Sequence, residues 1–170
     1  YDVSCIVPNP FPDYLSWMPY SSKVINAQKQ IQKAKRLIHN ADILFISDMN
    51  AAHRAGKDLE DVLLDSKAFK VLIDHHPTPS FNANIVYSTI YSTSASEMVY
   101  RFLKEIDPNQ PVSLNAANCI YTGMITDTGS LSYACNRPLI YEILKELMEI
   151  GVDGELIHHQ VYDNYSESRL

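Results

Sequence analysis

Long apolar runs are missing from this 170-residue chain. No stretch approaches the roughly 18 uninterrupted apolar residues of a membrane span, so no membrane partner is expected. Cysteine is scarce: Cys5, Cys119 and Cys135 are an odd number with no C-x-x-C spacing. That argues against a zinc ribbon and suits buried thiols in a reducing cytoplasm. Positive charge is in deficit, the formal net charge being −6. A protein that grips long duplex DNA by bulk electrostatics is therefore not expected. A phosphate substrate stays open, because carboxylates that bind divalent cations become locally positive once loaded. Internal repeats and low-complexity segments are absent, and no signal peptide is recognisable at Tyr1-Asp2-Val3.

What is present is an ordinary globular composition, 46% hydrophobic and 20% charged. A chain of this length makes one domain, or one domain with a trailing piece of another. Short apolar runs predict strands at Ser4–Val7, Ile43–Ile46, Val71–Ile73 and Ile85–Tyr87. Four prolines and several aromatics between Pro8 and Tyr20 predict an ordered loop whose rings pack on something. Periodic stripes predict helices over Ala27–Asn40, Asp58–Asp65, about Ala95–Ile106 behind Ser94, Ser113 to about Ile125, Pro138–Ile150, and Asp153 to about Tyr162. Strands alternating with helices predict an α/β fold with a mostly parallel, doubly wound sheet.

Parallel sheets place their ligand crevices at the carboxyl ends of strands. The run Val71-Leu72-Ile73 ends in Asp74-His75-His76 and is closed by Pro77, and the run Ile43–Ile46 ends at Ser47-Asp48. A helical pattern runs into Thr126-Asp127-Thr128-Gly129. Carboxylate oxygens beside imidazole nitrogens suit Mn²⁺, Fe²⁺ or Zn²⁺ better than Ca²⁺. Neighbouring side chains leaving a strand point to different sides, so one histidine of the pair can ligate while the other faces substrate. Each feature also has a plain reading: a helix cap at Asp48, a solvated turn at the His-His pair, a polar turn at Thr126–Gly129. Arg54 and Arg137 are candidate phosphate-binding cations, and either could equally be a surface charge. The second doublet, His158-His159, falls on a predicted helix, where adjacent side chains diverge by about 100° and do not share one ion; it reads as surface.

In order along the chain stand D-x-N-x-x-x-R (Asp48, Asn50, Arg54), I-D-H-H-P (Ile73–Pro77), T-G-x-x-T-D-T-G (Thr122–Gly129) and a closing Y-D-N-x-S-E-S-R-L from Tyr162. Together they resemble the DHH phosphoesterase family, and within it the bacterial nanoRNase/pAp-phosphatase branch, related to RecJ-type exonucleases and family II pyrophosphatases. The resemblance implies a two-metal, usually Mn²⁺-dependent phosphoesterase, with Mg²⁺ or Co²⁺ as substitutes. By resemblance Asp48 bridges the metals, His75 and Asp127 ligate one of them, and His76 contacts the phosphate or protonates the leaving group. Asp74 orients an imidazole, and Arg54 binds substrate. The implied partners are short RNA or small phosphorylated nucleotides such as 3′-phosphoadenosine 5′-phosphate, with pyrophosphate or polyphosphate as the alternative within the class. A non-catalytic nucleotide-binding domain is the alternative outside it. A cytoplasmic location and a homodimer are compatible with this reading.

One part of the pattern is missing. The family's first motif, H-x-x-x-D-x-D, does not occur upstream of Asp48. The family's strand order, 2-1-3-4-5, then implies that strand one is absent from this chain. The expectation is a catalytic domain over residues 1–155, incomplete at its N-terminus, with 156–170 leading toward a separate substrate domain.

Overall fold

The computed structural model describes residues 1–133 and 136–163. Cys135 and most of the closing motif, residues 164–170, lie outside the described residues. The chain divides into two compact units, Tyr1–Phe11 with Tyr20–Tyr91, and Pro12–Pro19 with Ser92–Leu170.

The first unit is α/β with parallel pairing throughout its described strands. Strands β1 (Ile6–Val7) and β2 (Ile25–Asn26) form a two-stranded sheet. Strands β3 (Ile43–Ser47), β4 (Phe69–Asp74) and β5 (Ile85–Ser88) form a second sheet in that order. Helices α1 (Ile31–Asn40) and α2 (Lys57–Asp65) supply the crossovers. Alternation along the strands sets Ile46 beside Leu72, and these pack with Ala34, Ile38, Leu59 and Leu63 into one core. The four expected strands are present. β2 is an addition, too short at two residues to show any period. α1 begins four residues later than its apolar stripe suggests: Ala27 still pairs with the sheet, its amide donating to the Val7 carbonyl at 2.9 Å, and Ala27–Lys29 form a turn before the helix. Cys5 is exposed rather than buried, since it precedes a two-residue strand at a sheet margin.

The outer edge of β3 has no partner strand among the described residues. Ile43 and Phe45 on it are 53% and 60% exposed, unusual for the middle of a parallel sheet.

The second unit is helical. It comprises α3 (Ala95–Ile106), α4 (Leu114–Asp127), α5 (Pro138–Ile150) and α6 (Gly154–His158), the last running into a π-helical turn at His159–Asp163. Its core holds Ala117, Ile120, Met124, Ile140, Leu147 and Val161, and Tyr14 and Trp17 from the proline-rich loop pack against it, as their ring content required. α3 and α4 approach closely at Gly123, where a Cβ would lie 1.9 Å from the Ser96 Oγ. Ser94 and Ser113 cap α3 and α4, each accepting from the amide three residues on.

Candidate metal centre

The register of β3 against β4 pairs Ser47 with Ile73. The residues that follow, Asp48 and Asp74, therefore leave adjacent strands at the same end. The Asp48 amide still donates to the Ile73 carbonyl at 3.0 Å, but its φ is 60°, in the left-handed region that non-glycine residues enter at a cost. This turns the chain out of the strand and leaves the Asp48 carboxylate 53% exposed.

Three side chains converge there. His75 Nε2 lies 3.3 Å and His76 Nδ1 3.6 Å from Asp48 Oδ1. One donor atom from each of Asp48, His75 and His76 fits within 4.8 Å of the others. The two rings meet edge to face with centroids 4.8 Å apart, so adjacent residues on one turn both reach the carboxylate. Both rings follow Asp74, the last residue of β4.

Asp74 is fully buried and its carboxylate is committed to His76. Oδ2 accepts from the His76 amide at 3.1 Å, and Oδ1 lies 2.9 Å from its Nδ1. A buried carboxylate on Nδ1 fixes the ring and favours the tautomer that carries its proton there, leaving Nε2 as the outward nitrogen.

Arg54 sits on a 3-10 turn, Ala52–Ala55, with Nη1 3.5 Å from Asn50 Oδ1. Asn50 itself joins two loops. Its Nδ2 donates to the Pro77 carbonyl at 3.0 Å, and its own carbonyl accepts from the Ser80 and Phe81 amides at 2.8 and 3.1 Å. It ties the loop that carries Asp48 to the loop that follows His76. Sequence reasoning placed Asn50 in a motif without a task, because the loop it is tied to lies 27 or more residues away.

Asp127 belongs to the second unit, as the last residue of α4. The turn after it is left-handed at Gly129, Ser130 and Leu131 in succession. Arg137, in the same unit, faces the buried Glu97, with Nη1 3.9 Å from its Oε1. The Glu97 Oε2 accepts from the Thr93 amide and hydroxyl at 2.8 and 2.7 Å. His158 and His159 are exposed and diverge: His158 bonds Ser130 and His159 faces Asp163.

Both the sequence and the fold have counterparts among known proteins. The sequence profile of the DHH family, N-terminal domain, matches residues 6–124. The chain belongs to the DHH family. A crystal structure of an exopolyphosphatase-related protein from Bacteroides fragilis superposes with a TM-score of 0.93 at 39% identity, over 98% of this chain and 48% of that one. A probable manganese-dependent inorganic pyrophosphatase of Lactococcus lactis is 28% identical over 134 residues, 77% of this chain and 40% of that protein. A Streptococcus mutans protein named as a probable bifunctional oligoribonuclease and PAP phosphatase is 30% identical over 94 residues, 55% of this chain and 29% of that protein. This DHH domain thus spans less than half the length of each of these relatives. No helix among its described residues is long and apolar enough to cross a membrane.

Proposed function

We propose that this DHH domain is the metal-binding part of a manganese-dependent phosphoesterase that hydrolyses short oligoribonucleotides, dinucleotides or 3′-phosphorylated nucleotides. The observation that carries the proposal is the convergence of Asp48, His75 and His76 at the ends of two adjacent parallel strands, with buried Asp74 behind His76. A carboxylate oxygen from Asp48 and an imidazole nitrogen from His75 fit Mn²⁺ by donor chemistry. Asp48 and His75 hold metal in this reading, and Asp127 is a metal ligand on the strength of its motif alone. A bound divalent cation of this kind polarises a phosphoryl oxygen and lowers the pKa of water.

The remaining work falls to the chain's own residues. His76, held at Nδ1 by Asp74, keeps Nε2 for the substrate; with both ring nitrogens protonated it gives the Nε2 proton to the leaving-group oxygen and returns to the neutral tautomer whose proton stays on Nδ1. Arg54 supplies a fixed positive charge for a non-bridging oxygen, and Asn50 keeps it near the Asp48 loop. The open edge of β3 supports a further element of the proposal. A parallel strand from elsewhere in the full chain would cover Ile43 and Phe45 and bring the remaining ligands. On that reading residues 1–155 form the catalytic domain without its first strand, and selection of the substrate lies with a separate domain beyond 156.

A pyrophosphatase or exopolyphosphatase is the second reading, favoured by the names of the Lactococcus and Bacteroides relatives. One experiment tests both. The full chain, stripped of metal and reloaded with Mn²⁺, is assayed on a diadenylate, on 3′-phosphoadenosine 5′-phosphate, on pyrophosphate and on polyphosphate. Turnover of the first two supports the proposal, and turnover of the last two alone supports the second reading. Tight nucleotide binding without any hydrolysis overturns both. The 170 residues assayed alone are expected to be nearly inactive.

A further inference from the structure

The turn after Asp127 is built unlike any other among the described residues. Gly129, Ser130 and Leu131 have φ of 54°, 56° and 63°. A glycine takes this conformation freely, whereas a serine and a leucine enter it against steric resistance, the leucine most of all. Such backbone persists only where its surroundings over-determine it.

Two sets of contacts do so. From inside, the fully buried Thr128 donates its hydroxyl to the Met124 carbonyl at 2.8 Å and accepts from the Leu131 amide at 3.1 Å. From outside come α6 and its π-helical turn. Tyr162 donates its hydroxyl to the Ile125 carbonyl at 2.8 Å, and that same carbonyl accepts the Ser130 amide at 2.8 Å. His158, one turn before Tyr162, lies against its ring at 4.8 Å between centroids and places Nε2 3.0 Å from the Ser130 hydroxyl. His158 and Tyr162 therefore hold the turn at two adjacent points, one on a side chain and one on the carbonyl two residues before Asp127.

We propose that His158 and Tyr162 are positioning residues, a clamp from α6 that keeps the left-handed turn in place and so fixes the direction in which Asp127 leaves α4. The clamp rests on the reading of Asp127 as a metal ligand, for which it supplies the outer support that ligating carboxylates require. It gives His158, otherwise a surface residue, a task within the site while its neighbour His159 has none.

The test uses the full chain and two readouts. Mn²⁺ affinity is measured by titration calorimetry for wild type, His158→Ala, His158→Gln, Tyr162→Phe and Asp127→Asn. Amide hydrogen exchange is followed at Ser130, Leu131 and Tyr133. His158→Ala and Tyr162→Phe are each expected to weaken one Mn²⁺ by about 10-fold and to speed exchange at Ser130 and Leu131, with thermal stability near that of wild type. His158→Gln, whose amide reaches where Nε2 stood, restores both. If Asp127→Asn removes a metal while His158→Ala changes neither affinity nor exchange, the clamp is refuted and the ligand reading stands. If Asp127→Asn leaves Mn²⁺ binding untouched, the ligand reading fails and the positioning role fails with it, even where exchange quickens. Loss of affinity in His158→Ala accompanied by general unfolding, with no rescue by His158→Gln, overturns the clamp in favour of a purely structural role.

Discussion

The two units present their candidate ligands by different means. In the first, strand register does the placing: β3 and β4 end together, and Asp48, His75 and His76 emerge side by side. In the second, a 14-residue helix ends on Asp127 and a left-handed turn follows. Both routes spend backbone strain at the carboxylate, at Asp48 itself in one case and two to four residues after Asp127 in the other. A sheet edge delivers several donors at once and orients them through each other. A helix terminus delivers one donor, whose direction depends on what holds the next turn. Substitutions at the sheet edge should therefore be the more severe and the more interdependent.

The largest effect expected is at His76. With Asp74 fixing its ring, His76→Ala should retain Mn²⁺ and lose turnover by about 10²- to 10⁴-fold, the usual contribution of a positioned acid or base. His75→Ala should instead lose metal. Calorimetry beside a steady-state assay separates these outcomes. If both variants shed Mn²⁺ equally, the two imidazoles share one role, as their near-equal distances from Asp48 would permit.

Next in size are the cores. Leu72 and Leu147 are both fully buried, one in β4 and one in α5. Each Leu→Ala should cost about 2–5 kcal/mol, read from urea unfolding of the full chain. The comparison between units sharpens if probes in each are followed separately. Coincident transitions for both variants would mean that the units unfold together, and the two-unit contrast would then describe geometry but not stability.

Much of this was legible in the sequence because the first unit follows local rules. An apolar run that stops at Asp74-His75-His76 before a proline is a strand end whatever surrounds it, and the capped, striped helices of the second unit declare themselves in the same way. What stayed hidden was non-local. Asn50 has its partner at Pro77, and Ser130 has its partner at His158, 28 residues on. Helical divergence sends His158 and His159 to different partners, but it could not show that one of them bonds a turn from another element. β2 was missed because two residues have no periodicity, and the start of α1 was misplaced because Ala27 still pairs with the sheet and a turn precedes the helix.

Asn50 tests whether the sheet-edge donors depend on each other. Asn50→Ala removes the bond to the Pro77 carbonyl while leaving every candidate ligand in place. Outer-shell changes of this kind cost about 10- to 100-fold in metal affinity. A loss in that range, with Asp48 and both histidines intact, would show that the two loops are aligned by this one side chain. Unchanged Mn²⁺ affinity would mean that strand register and the main-chain bonds from Ser80 and Phe81 to the Asn50 carbonyl suffice without this side chain.

The smallest effect separates the units by how their helices begin. In the second unit α3, α4 and α6 each start on a side-chain cap, from Ser94, Ser113 and Asp153, while α5 starts on Pro138 without one. In the first, α1 and α2 start on Gln30 and Gly56 with no side-chain cap bond. Helices without caps rely on packing against the sheet for their stability, whereas helices packed on one another draw more on their own ends. Ser113→Ala should therefore cost about 1 kcal/mol, and Gln30→Ala at the matching position of α1 should stay within about 0.5 kcal/mol of wild type. Equal losses at both positions in urea titrations would show that the α1 terminus depends on Gln30 in a way its backbone geometry does not reveal. A loss at Ser113 alone would confirm that the sheet, and not local capping, holds the helices beside Asp48 in place.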